Sequence, residues 1–256
     1  MSTNHINFGL VALTAAATLG SSVLGSIIDN PNGFVLRSSG SIAIQGNVLA
    51  DAGVGALGNV TVGWGSFVDG PTESGATRTW LTPAIDPWST PGGSNISLDW
   101  SQTRSLTAGS YGALTSNSST TLNLGPGSYT FSSFQLGWAG QVNADTTSGD
   151  VYVYVNGALS AGDATRFQAT GPGTLYLISG GNSSFGYQAN IEAAVYSRGT
   201  LNFGGEARLD GLAYADGNIS AGYGSRFSFL TIPAPGALAL IPAIAGMALR
   251  GRRRRI

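Results

Sequence analysis

Three arginines recur at one position of a repeated segment. From Tyr154 the chain reads YVNGALSAGDATRF, from Tyr196 YSRGTLNFGGEARL, and from Tyr214 YADGNISAGYGSRF. In each copy a glycine follows the tyrosine by three residues (Gly157, Gly199, Gly217), and an arginine follows that glycine by nine (Arg166, Arg208, Arg226). A guanidinium offers a planar fork of donors to an anionic group, and a tyrosine ring offers a face for stacking. The row Arg166, Arg208 and Arg226, with Tyr154, Tyr196 and Tyr214, is therefore a candidate contact for an acidic polysaccharide. The plainer reading is a solvated row in which Asp163 and Glu206 offset their neighbouring arginines, at roughly 1 kcal/mol or less each.

Other chemistry is thinly represented. The chain has no Cys and no Lys, and its one His is His5. This removes thiol nucleophiles, Schiff-base amines and an imidazole base from the body. No Asp-Asp or Asp-x-Asp pair occurs, so the paired carboxylates of a glycan-cleaving solenoid are lacking. The stretch from Asn143 to Asp150 gathers several oxygen ligands, but it lacks the frame and closing Glu of a calcium loop and reads as a turn. The expectation is a protein with no catalytic residues, metal or cofactor, and not an enzyme. Five of the twelve arginines lie at 250 and 252–255, which leaves seven against thirteen acids in the body. A net charge of −6 there argues against nucleic acid as a partner.

The elements that position these residues are short. VYVYV, TLYLI and AAVY are strand-like runs separated by glycine-marked turns, and the tyrosine spacings of 22, 20 and 18 residues match one solenoid coil. A looser copy begins at Tyr176, two residues longer and without the arginine. No coil buries its apolar side alone, so coils stack with parallel pairing, and Gly supplies positive φ at the corners. The fold expected is all-β, a single-stranded β-helix (solenoid); an antiparallel sandwich also accommodates these strand lengths. Residues 66–120, with Trp80, Trp88 and Trp100, show weak periodicity and read as an excursion that packs on the side or caps an end. The tryptophans read as packing residues, since no two show the spacing of a platform.

Both ends read as addresses. Residues 8–24 form an apolar stretch rich in small residues, giving a signal peptide over 1–25, although no Arg or Lys precedes it. At the other end Pro233, Ala234, Pro235 and Gly236 precede an apolar run and then Arg252, Arg253, Arg254 and Arg255. The 18 residues of 232–249 suffice for a transmembrane helix, and the arginines hold its end in the cytoplasm. The solenoid body thus spans 26–231 and the tail 232–256.

That tail resembles the PEP-CTERM sorting signal, with Ala234 where the family carries Glu. The resemblance implies an exosortase-type processing enzyme as partner, transient membrane retention through the C-terminal helix, and release to the cell surface or medium. The body is similar to domains of bacterial surface and pilus-associated proteins in Gly127-Ser-Tyr-Thr-Phe131, in 151–157 and in Tyr214-Ala-Asp-Gly-Asn-Ile219. The opening Gly46-Asn-Val and Gly58-Asn-Val repeats are similar to those of the choice-of-anchor group. Together these imply an exported structural or interaction protein of the cell surface or extracellular matrix, with a polysaccharide-binding module as the alternative.

Overall fold

The computed structural model describes residues 33–76 and 91–229. Both termini, with the signal and sorting segments, lie outside the described residues, as do Trp80 and Trp88. The described residues are all-β, and every strand pairing among them is parallel. They form a solenoid, as expected, whose cross-section is three-sided, and the sandwich alternative falls away.

One side is a nine-stranded sheet of three-residue strands such as Leu159–Ala161, Ser183–Phe185 and Leu201–Phe203. In eight of the nine the outer residues are buried and the middle residue points to solvent, the period-2 pattern of a half-buried strand, while Val60–Val62 at one end of the sheet is less covered. We call this side the narrow face. The other two sides belong to one sixteen-stranded sheet bent around an edge. Asn190–Ser197 and Arg208–Ala215 run round that edge unbroken, while Gln141–Asp145 and Val151–Val155 are separate strands joined by a turn. Insertions at this edge account for the uneven coil length. Ser184, Asn202 and Ser220 stack in register 18 residues apart, whereas Ser160 precedes Ser184 by 24.

The coils do not stack in chain order. Phe34–Ser38 pairs with Arg208–Ala215, and Ile42–Ile44 pairs with Ile219–Ala221. The described residues thus start with a coil beside the coil 208–228, build outward through Gly53–Ala56 and Val60–Val62, and resume at the opposite end with Ile96–Leu98. Backbone bonds close the seam, with Ile219 N–H donating to Ser41 O and Gln45 N–H to Ala221 O, each at 2.9 Å. The region 66–120 is also corrected. Its residues from Ile96 onward are regular coils, with Leu114–Ser116 paired to both Ile96–Leu98 and Phe134–Leu136.

The core is a ladder of apolar side chains that reach in from different sides of the solenoid. Phe167, Phe185, Phe203 and Phe227 alternate edge-on and stacked contacts with centroids 5.7, 5.5 and 5.1 Å apart, all essentially buried. A second cluster lies on the outer side of the large sheet. Tyr154, Ile178, Tyr196, Tyr214 and Arg37 occupy one register column there. The loose repeat is out of phase, because Tyr176 pairs with Tyr152 and Ile178 takes the repeat position. Tyr152 stacks on Tyr176 at 4.7 Å and Tyr196 on Tyr214 at 5.4 Å. Their hydroxyls bind locally: Tyr152 donates to Asp150 at 3.0 Å and Tyr196 to Asp216 at 2.7 Å.

Burial, followed by the charge of Asp150, pushes the Tyr176 phenol up to about 12. Burial with Asp150 raises Tyr152, and burial with Asp216 raises Tyr196, further still. A folded pKa above the unfolded value of ~10 means the native state keeps protons the unfolded state has lost. The stability from these neutral phenols is thus complete below about pH 10 and declines as pH rises towards 12. Melting temperatures measured between about pH 8 and 12 should be level at first and fall above about pH 10. A level profile throughout would mean that the phenols ionise as freely in the fold as out of it.

Candidate functional site

The solvent-facing column of the narrow face runs the length of the solenoid. From one end to the other it reads Ser97, Thr115, Gln135, Ser160, Ser184, Asn202, Ser220, Ala43 and Thr61, each in register with the next. None of the nine is ionisable, eight carry a hydroxyl or amide, and the rungs are about 4.8 Å apart. Inward-facing neighbours on both sides, such as Phe134 and Leu136 around Gln135, anchor the backbone in the core. The result is an in-register row of polar groups on a sheet whose strands carry no charge.

Three residues further along each coil stands a second row. It holds Trp100, Trp138, Tyr187, Tyr223 and Trp64 on alternate rungs, with Ser118, Asp163, Gly205 and Gly46 between. These aromatics are between 45% and 88% exposed. The expectation that the tryptophans pack inside is corrected for Trp64, Trp100 and Trp138. The signal was present in four Gly-aromatic dipeptides ending at Trp64, Trp138, Tyr187 and Tyr223, which the coil register aligns.

The corner after this row has positive φ on every one of the nine rungs. Asn47, Ala139, Gln188 and Glu206 are among the seven non-glycine residues that adopt it, with φ between 53° and 58°. Glycine is therefore not what this corner requires. The glycine just before the aromatic row has another role, which is close approach. A Cβ on Gly204 would lie 2.6 Å from the Gly186 carbonyl carbon, and one on Gly222 would lie 2.5 Å from that of Gly204.

The structure places Arg166, Arg208 and Arg226 on a third side, in one outward column. Arg208 pairs with Arg226, and Asn190 separates Arg166 from Arg208. Their shared side was legible in the repeat, but the composite site with tyrosine does not form. Tyr196 and Tyr214 are buried on a different side of the molecule, and Tyr154 is half-buried beside them. The proposed acid offset is corrected as well. Asp163 Oδ1 accepts the Tyr187 N–H at 2.8 Å, and Glu206 Oε2 accepts from the Gln188 amide at 2.8 Å. The two acids also occupy different corner positions, Asp163 in the aromatic row and Glu206 one residue later.

The calcium-like stretch is a turn, in which Asp145 Oδ1 accepts from Thr147 N–H at 3.0 Å and from its hydroxyl at 2.6 Å. These bonds hold the Asp145 carboxyl below its ordinary pKa. No group of three His, Cys, Asp or Glu residues is placed to hold a metal among the described residues. No helix among them is long and apolar enough to cross a membrane.

Residues 94–232 match the model of a family described as a domain of unknown function, DUF7305. No curated protein matches the chain. Among solved structures, the fold is similar to an ice-binding protein from the Antarctic ascomycete Antarctomyces psychrotrophicus. The TM-score is 0.53 and the identity 13%, over 80% of this chain and 96% of that one. An ice-binding protein from an Antarctic biological consortium aligns over 79% of this chain and 90% of that one, at 16% identity and a TM-score of 0.45. The expectation of a matrix structural or polysaccharide-binding protein is corrected here: the protein from Antarctomyces psychrotrophicus that shares the architecture is an ice-binding protein, and the arginine–tyrosine site that motivated a glycan ligand is split between two sides.

Proposed function

This chain belongs to the DUF7305 family, and from that premise we propose that it binds ice through the narrow face. The observation that carries the reading is the uncharged nine-rung column from Ser97 to Thr61. An ice surface is a rigid, repeating array of uncharged donors and acceptors. A matching surface must itself be rigid and repeating, and its hydroxyls and amides must both donate and accept. Ionised groups would oppose the contact, because they hold their own hydration shell and are costly to strip of it. The other two sides fail on these grounds, one carrying Arg166, Arg208 and Arg226 and the other buried tyrosines beside Arg37. The fold shared with the Antarctomyces psychrotrophicus protein supports the same reading.

The role is one of adsorption without catalysis. Ice is met outside the cell, which suits export by the N-terminal signal. The tail with Pro233, Pro235 and Arg252 to Arg255 completes the proposal as a PEP-CTERM-like address that holds the chain in the membrane until an exosortase-type enzyme releases it. The direct test is to grow ice slowly in a solution of the purified chain. Enrichment in the ice, with faceted crystals and a gap between melting and freezing points, is the expected result. Exclusion from the ice, as for an ordinary soluble protein, refutes the reading.

A further inference from the structure

We propose that the row Trp100, Trp138, Tyr187, Tyr223 and Trp64 is a second, apolar strip of the ice-contacting surface, a role that rests on the ice-binding reading. Its geometry is built. The Tyr187 ring lies against the next rung, within 3.4 Å of where a Cβ on Gly205 would stand, and the Tyr223 ring within 3.6 Å of one on Gly46. The far ends of both rings are tied to the following corner, Tyr223 hydroxyl to the Asn47 amide and Tyr187 hydroxyl to Glu206. A ring laid across two rungs needs a small residue under it, which explains why aromatics occupy alternate rungs and Ser118, Gly205 and Gly46 stand between them. Asp163 is the exception, the one ionisable member of the row, and its Oδ1 is turned to the next rung, where it accepts the Tyr187 backbone N–H.

The strip therefore repeats about every 10 Å, twice the rung spacing of the polar column beside it. Both rows are fixed to the same nine backbone turns, so they keep their phase along the whole solenoid. Five exposed aromatics in line form an apolar patch of the kind that marks a contact surface, and hydration water is held loosely over it. A surface combining hydroxyls that hold water with rings that release it suits a solid whose lattice waters must replace liquid ones.

The test compares the full chain with a variant carrying Trp64→Ser, Trp100→Ser and Trp138→Ser, leaving the polar column intact. A conservative set with Phe at the same positions guards against a folding artefact. The Ser variant should lose about tenfold in the concentration needed for half-maximal ice retention, as expected when clustered aromatic anchors are removed, while the Phe set stays within about threefold of the parent. Ser and parent chains that bind equally, with unchanged β-rich circular dichroism, overturn the strip and leave the polar column as the site. A parent chain that does not enter ice overturns the ice-binding reading itself. A Phe set that loses as much as the Ser set also counts against the strip, since an apolar ring would then not suffice.

Discussion

Ser160→Lys combined with Asn202→Lys is expected to abolish retention in ice and leave the fold intact. Both residues point outward at the middle of the narrow face, with Ser184 on the rung between them. The two new charges stand about 10 Å apart, near the screening length at moderate salt, so their mutual repulsion is small. Neither side chain enters the core, and outward substitutions of this kind shift stability by about 0.5 kcal/mol or less. Each ammonium keeps a hydration shell that a lattice of neutral waters cannot replace. Retention at the level of an unrelated protein, with an unaltered melting temperature, is the expected outcome. Arg208→Ser, on another side of the solenoid, should bind as the parent does. If the double-Lys chain binds normally and Arg208→Ser does not, the wrong face has been assigned.

The second large effect belongs to stability. Gly204→Ala should cost about 2–3 kcal/mol, while Gly125→Ala should be neutral or add a few tenths. No left-handed backbone is involved at either position. On Gly204 the added methyl would meet backbone atoms of Gly186 and Tyr187 at 2.6–2.7 Å, and backbone on a neighbouring rung cannot rotate away. Around Gly125 no heavy atom beyond its own chain neighbours lies within 4 Å of the corresponding position. In the unfolded chain both substitutions reduce the entropy alike, so the difference between them isolates the close approach of rungs. Denaturant titration gives the two values directly. Equal midpoints for the two variants would mean that the rungs separate at no cost.

Local sequence determined the class of fold because each coil repeats the same requirements. Three-residue strands with an outward middle residue, as in Leu159–Ala161, are readable from polarity alone. So is the stack of Gly157, Gly199 and Gly217, which the structure completes with Gly181 of the loose copy through N–H to O bonds of 3.0–3.1 Å. The repeat period likewise put Arg166, Arg208 and Arg226 on one side. What local sequence left open is which coil lies next to which. Parallel pairing needs only a matching strand edge, and every coil presents one, so nothing within the segment from Phe34 to Glu73 marks the coil 208–228 as its neighbour.

Only the assembled stack decided that order. With it came the two rows of the candidate site, because Ala43 and Thr61 extend the polar column, and Trp64 the aromatic one, only once the first coils dock on the last. The aromatic row stayed hidden in the sequence because its members are two coils apart, and the coils differ in length at a distant edge. Insertions near Thr146 and Gly171 shift the spacing along the chain but leave the narrow face in register, since they loop out where the other two sides meet. Spacing in sequence therefore varies while spacing in the solenoid stays constant, and a rigid repeating ligand would meet only the latter.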